Sequence, residues 1–186
     1  MKTLIIYSSV DGQTQKIAQA MAAEMQAADQ SAVLELTALS QADQYDLSGY
    51  DNIVIGASIR YGHFNKALEP YIQRHAQLLN RKKSAFYSVN LTARKADKNT
   101  PETNVYTRKF LQRIDWQPTQ SAVFAGALRY PRYRFFDRFM IRLIMKITGG
   151  ETDTTKEIEY TDWDKVAEFA RRFKSWQGTT RTSFTY

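Results

Sequence analysis

Cysteine is absent from the 186 residues. Its absence removes disulfides, thiolate metal sites and a cysteine nucleophile together, and fits a reducing compartment. Histidine is scarce: His63 and His75 are the only two, too few for a histidine-rich metal centre. The four prolines and eight glycines leave no low-complexity tract or interdomain linker. Long apolar runs are missing as well. The apolar stretch after Lys2 ends at Tyr7, too short for the core of a secretory signal. The run from Phe139 to Met145 is interrupted by Arg142 and falls far below the roughly 20 residues that cross a bilayer. A cytosolic protein is expected.

What remains is a folded composition, 43% apolar, at a length that suits one core. Short, largely apolar runs at 3–7, 33–36, 52–57, 84–89 and 121–127 read as strands, the first of them rich in β-branched residues. Helical periodicity fills the intervals at 13–28, 66–79, 103–113 and 162–176, the last capped by Asp162. Strands alternating with helices predict an α/β fold, a doubly wound three-layer sandwich around a five-stranded parallel sheet. Residues 1–176 form the single domain, and 177–186, which lack periodicity, read as a flexible tail. Ligands of such sheets bind beyond the carboxyl ends of the strands, which directs attention to the loops after strands one, three and four.

The first strand runs into Ser8-Ser9-Val10-Asp11-Gly12-Gln13-Thr14 and then into a helix. Loop amides and a helix N-terminus converging on one spot make an anion site. Gly12 permits close backbone approach, and the hydroxyls of Ser9 and Thr14 can donate to phosphate oxygens. The loop holds no lysine and matches neither the Walker A nor the GxGxxG pattern, so a monophosphate is favoured over a nucleoside triphosphate or a dinucleotide. An ordinary turn capped by Thr14 accounts for the same residues about equally well. After strand three comes Ser58-Ile59-Arg60-Tyr61-Gly62-His63. Strand four, which carries Ser88, is followed by Asn90-Leu91-Thr92-Ala93-Arg94. These loops can offer a flat aromatic face at Tyr61, backbone donors, and cations at Arg60 and Arg94 for negative charge on a cofactor or substrate.

The segment 128–150 breaks the alternation and reads as an insertion after strand five. From Leu128 to Ile147 it carries Arg129, Arg132, Arg134, Arg138, Arg142 and Lys146 against one acid, Asp137, a net +5 out of +7 for the whole chain. Pro131 suits the first turn of a helix. On that helix Tyr133, Phe136, Met140, Leu143, Ile144 and Ile147 gather opposite the basic stripe, while Phe135, Phe139 and Met145 fall among the basic positions. Three roles fit: a core-facing helix with a solvated basic side, a helix lying on an acidic membrane surface, and a wall of a site for an apolar anion. Nucleic acid is disfavoured, since no second basic patch or recognition motif accompanies this one.

Strand, Ser-x-x-Gly-x-Thr, helix resembles the flavodoxin phosphate loop, typically Thr/Ser-x-Thr-Gly-x-Thr. Ser9, Gly12 and Thr14 match. Asp11 stands where that family carries a hydroxyl, leaving its carboxylate free to cap the helix. The wider chain resembles the bacterial quinone-dependent protoporphyrinogen oxidases of the flavodoxin-like type, over nearly all of residues 1–176. The stretches that carry this are IGASIRYGHF (55–64), SAFYSVNLTARK (84–95), AGALRYPRYR (125–134), DRFMIRLIMK (137–146) and GGETDT (149–154). The resemblance implies a flavodoxin-like sandwich binding FMN. Its phosphate would lie on Ser9, Val10, Asp11, Gly12, Gln13 and Thr14. Its ring would lie among Ser58, Ile59, Arg60, Tyr61, Gly62, Ser88, Asn90, Leu91, Thr92 and Ala93. It implies a six-electron oxidation of protoporphyrinogen IX to protoporphyrin IX in haem biosynthesis, with menaquinone or ubiquinone as acceptor, peripherally on the cytoplasmic side of the inner membrane. The basic insertion would meet that membrane, and Arg129, Arg132 and Arg134 are candidates for pairing with the two propionates of the substrate. No residue reads as a catalytic acid or base. The alternatives on the same fold are an NAD(P)H:quinone reductase and a flavodoxin-type electron carrier, though carriers of that type are usually acidic.

Overall fold

Strand β1 (Lys2–Ser8) buries Leu4, Ile5 and Ile6 completely, which only a strand covered on both faces can do. Its side chains divide between two cores. Leu4 and Ile6 join one with Ile53 and Ile55 of β3 (Asn52–Ser58) and Phe86 of β4 (Lys83–Asn90); Ile5 joins the other with Val54, Ala85 and Tyr87. Helices α2 (Leu68–Arg81) and α3 (Val105–Arg113) cover the first face. Helices α1 (Gln13–Ala28) and α5 (Trp163–Ser175) cover the second. With β2 (Val33–Ala38) and β5 (Gln120–Ala125) the sheet runs β2-β1-β3-β4-β5, all parallel, as expected. This computed structural model describes residues 1–175, so Trp176 and the expected tail at 177–186 lie outside the described residues.

The order reverses direction at β1, so the connections after β1 and β3 diverge and leave a crevice at their carboxyl ends. One close approach builds its floor. The Tyr87 ring lies across Gly56 so tightly that any Cβ there would overlap it, and its hydroxyl donates to the Thr14 carbonyl at 3.0 Å, fixing the first turn of α1. Asp162 caps α5 as expected, accepting from the Lys165 N–H at 3.1 Å.

The excursion after β5 differs from expectation in three ways. The run expected as one strand over 121–127 breaks at Gly126, and β6 (Ala127–Arg129) pairs antiparallel with a late strand, β7 (Glu157–Glu159), that the sequence did not signal. The excursion therefore spans 127–159. Pro131 opens a short 3-10 turn, Tyr130–Arg132, rather than the helix. Helix α4 (Phe135–Ile147) starts only after Arg134.

Its orientation is the larger correction. Only Ile141 and Met145 of α4 are buried, packing on Leu128, Tyr130 and Tyr133, although Met145 was expected on the basic side. Phe135, Phe136, Phe139 and Ile147 are 60–83% exposed, and Met140 and Leu143 are also open. The core-facing contact is thus confined to a narrow strip, which packs on β6 and the turn that follows it. The broad apolar side points outward.

Candidate functional site

The loop between β1 and α1 has the form of an anion cradle. Gly12 sits at φ 83°, the left-handed region, and no side chain caps α1. The amides of the first turn are open, with the helix dipole behind them. The Ser9 Oγ and Thr14 Oγ1 atoms are buried and have no hydrogen-bond partner among the described residues. Buried hydroxyls left unpaired cost about 1–3 kcal/mol each, so their persistence beside open amides points to an acceptor that belongs there. A phosphate ester, acceptor-only and anionic, fits this donor set; Thr14 lies inside the helix and does not cap it. Gln13 serves otherwise. Its amide donates to Thr161 Oγ1 at 2.8 Å and accepts from Arg129 Nη2 at 2.9 Å, tying the loop to the excursion. Val10 is 59% exposed.

Asp11 does not cap the helix either. Its carboxylate accepts from Arg60 Nη1 at 2.9 Å, and Arg60 Nη2 lies 3.1 Å from Asp137 of α4. The guanidinium also rests 5.5 Å from the ring centroids of Tyr61 and Tyr133. Burial works against the Arg60 charge, but Asp11, then Tyr61 and Asp137, outweigh it and hold its pKa above the usual range. Tyr61 donates to Asp137 at 2.5 Å. This bond, with Arg60 beside it, holds the Asp137 carboxyl below its ordinary value. Tyr61 and Gly62 both take positive φ, 51° and 79°, inside a two-residue turn closed by reciprocal bonds between Arg60 and His63. An aromatic residue at positive φ is strained, and here the strain delivers the phenol to Asp137. Ser58 Oγ donates to the Ser8 carbonyl at 3.3 Å, and the Ile59 N–H to the Val89 carbonyl at 2.8 Å, so these two stitch the loops together.

At the end of β4, Asn90 Oδ1 accepts from the Thr92 hydroxyl at 2.6 Å and the Ala93 N–H at 3.1 Å, closing a 3-10 turn, Leu91–Arg94. Its Nδ2 donor is buried and has no partner among the described residues. That donor suits an acceptor along the edge of a flavin ring. Ser88 and Ala93 are not open: Ser88 is fully buried and shares a 2.6 Å bond with Thr107 of α3, and the Ala93 N–H is spent on Asn90. Arg94 bonds the Leu91 carbonyl and both the carbonyl and hydroxyl of Thr148, at 2.8–3.1 Å.

Helix α4 is therefore fastened at both ends to the loops that flank the crevice. Asp137 joins the loop after β3, and Thr148, just past the helix, joins the loop after β4. Of the arginines singled out for an anionic substrate, Arg129 is engaged by Gln13, and Arg132 forms a two-bond pair with Glu157 at 2.7 and 3.1 Å. Arg134 is exposed at the start of α4. Sequence reasoning passed over Asp137, although its standing as the one acid among six basic residues was a usable signal.

The chain has clear relatives. The family model described as a flavodoxin domain matches residues 4–155. The protoporphyrinogen IX dehydrogenase (quinone) of Escherichia coli (strain K12) is 54% identical over 171 residues, covering 92% of this chain and 93% of that protein. The protein of the same name from Leishmania major is 52% identical over 173 residues, covering 92% and 74%. Among solved structures, a flavodoxin from the domain Archaea superposes with a TM-score of 0.54 at 11% identity, covering 94% of this chain and 96% of that one. The azoreductase AzrA superposes at 0.52 and 12%, covering 92% and 100%. At those identities the superpositions speak for the fold alone.

Proposed function

The chain belongs to the flavodoxin-domain family and, within it, to the quinone-linked protoporphyrinogen IX dehydrogenases, and from that premise we propose that it oxidises protoporphyrinogen IX to protoporphyrin IX with bound FMN and a quinone acceptor. The reaction removes six electrons and six protons from the substrate and converts three quinones, menaquinone or ubiquinone, into three quinols. FMN, when bound, supplies the two-electron relay between them. The observation that carries the cofactor is the pair of orphaned hydroxyls, Ser9 Oγ and Thr14 Oγ1, at the uncapped start of α1. Those hydroxyls and the loop amides would hold the phosphate. Asn90 Nδ2 and the backbone from Ser58 to Gly62, apart from the Ile59 and Arg60 amides already bonded to Val89 and His63, would orient the ring, and Arg60, already paired, keeps Asp11 from opposing the anion. No side chain is assigned as acid or base. The test is to mix FMN-loaded protein with protoporphyrinogen IX and a quinone under strict exclusion of oxygen. Porphyrin fluorescence should grow with enzyme concentration; a signal no greater than in the enzyme-free control overturns the assignment.

Helix α4 is the membrane contact, holding the protein peripherally on the cytoplasmic face of the inner membrane. Its six outward apolar side chains lie exposed on one side of the helix, and Arg142 and Lys146 lie beside them for acidic headgroups. Thirteen residues make a helix about 20 Å long, suited to lying in the interface, and no described helix is long and apolar enough to cross a membrane. A lipid-soluble quinone is met where it resides.

A further inference from the structure

A second recess lies beside the crevice, on the α2/α3 side of the sheet. It is a cleft of about 560 Å³ between residues 62–66, the first turn of α2 and the outer face of α3, a size usual for small-molecule sites. Phe64 and Phe110 give it an apolar lining, and Tyr106 stands against Gly62, where a Cβ would come within 3.1 Å of its ring. The one acid in the lining, Glu69, is neutralised by Arg113, whose Nε donates to it at 2.9 Å. Lys66 and Lys109 also line the cleft. Neither has a hydrogen-bond or ion-pair partner among the described residues. The cleft is thus aromatic within and carries two unspent ammonium groups.

We propose that this cleft seats the carboxylate-bearing substrate, with Lys66 and Lys109 taking its two carboxylates and the aromatic lining taking its apolar body. This rests on the reading of the chain as a protoporphyrinogen dehydrogenase and moves the anion site away from the excursion. There Arg129 and Arg132 are already committed to Gln13 and Glu157. The cleft contains Gly62 and His63, which continue the loop assigned to the flavin ring, so a ligand seated in it adjoins the cofactor. The two substrates then arrive by different routes: the quinone from lipid along α4, and the dicarboxylate from water through a basic cleft. That division matches their chemistry, since a route good for one is poor for the other.

The test uses the FMN-loaded full chain and the double variant Lys66→Glu/Lys109→Glu, whose substitutions are exposed and lie outside the cofactor loops. The KM for protoporphyrinogen IX should rise roughly tenfold or more, as expected for reversing two partly solvated charges, with little change in kcat, FMN content or the KM for quinone. With the dimethyl ester of the substrate, which carries no carboxylates, variant and wild type should be alike. Fluorescence titration of the product, protoporphyrin IX, should show the same loss of affinity without turnover. Unchanged KM and unchanged product affinity overturn the cleft assignment while leaving the enzymatic reading standing. A wild type that binds porphyrin through these lysines but never oxidises porphyrinogen overturns the enzymatic reading alone.

Discussion

Thr14→Val should weaken FMN binding and stabilise the cofactor-free protein at the same time. Thr14 is 1% exposed and its hydroxyl has no partner in the fold, while its methyl packs as the valine would. A hydroxyl donating to a phosphate dianion contributes about 1.5–3 kcal/mol, so its loss should raise the Kd for FMN roughly 10- to 150-fold. In the cofactor-free protein the same hydroxyl is a buried donor with nothing to bond, and its removal should gain about 1 kcal/mol. For a domain of this size that is a rise in Tm of about 2–4 °C. Titration of apoprotein by flavin fluorescence quenching gives the first number and a thermal melt of apoprotein the second. Riboflavin, which lacks the phosphate, serves as the control and should bind variant and wild type equally. Ser9→Ala should behave alike. A variant that binds FMN as tightly as wild type, or whose apoprotein melts lower, refutes the assignment of the phosphate to this loop.

Gly56→Ala should destabilise the fold by roughly 1–3 kcal/mol or more, because the new methyl would overlap the fully buried Tyr87 ring; denaturant melts would report it, and an unchanged midpoint would contradict the packing described. The docking of α4 should be flat with pH from about 5 to 9 and weaken at both ends. The Asp137 carboxyl is held below its ordinary 3.8, so its contribution is complete above that value and disappears as pH falls through the lowered one. Burial, then the bond to Asp137, raises the Tyr61 phenol above its ordinary 10.0, so its contribution is complete below 10.0 and disappears as pH climbs through the raised value. Hydrogen-exchange protection along α4, corrected for intrinsic rates, measures this, and a loss of protection between pH 5 and 8 would be inconsistent with it. Phe136→Glu/Leu143→Glu should abolish co-sedimentation with vesicles rich in phosphatidylglycerol while leaving the melting temperature within about 1 °C, since both side chains are already exposed; retention on vesicles would remove α4 from the membrane contact.

The sheet was legible because its strands are short, largely apolar runs set between helical segments, and both its faces are covered, so pattern and burial agree. The phosphate loop was legible because its parts are contiguous. Strands β6 and β7 were not, since three residues each, one of them Glu-Ile-Glu, carry no period. Ser88 reads as a cofactor contact, but its hydroxyl shares a bond with Thr107, 19 residues on. Helix α4 shows the deeper limit. Helical periodicity identifies an apolar face but not what covers it, and here the narrow strip with Ile141 and Met145 meets protein while the broad one does not. The link from Tyr61 to Asp137 spans 76 residues and leaves no local trace beyond an acid isolated among bases.

Asp11 gives the departure from the usual phosphate loop a physical reason. A free carboxylate beside a dianionic ester would repel it, yet Arg60 holds that carboxylate at 2.9 Å and offsets its charge. What the position loses as a phosphate donor it gains as a tether, since the same guanidinium reaches Asp137 on α4. Each of these partly exposed ion pairs contributes about 1 kcal/mol or less, too little to be kept for stability alone. Their geometry is more informative: with Arg94 gripping Thr148 at the other end, α4 is oriented by the two loops assigned to the flavin. A helix fixed in this way turns its apolar side outward whether or not lipid is present. The outward apolar side chains of α4 and the two loops assigned to the flavin therefore form one continuous mechanical unit.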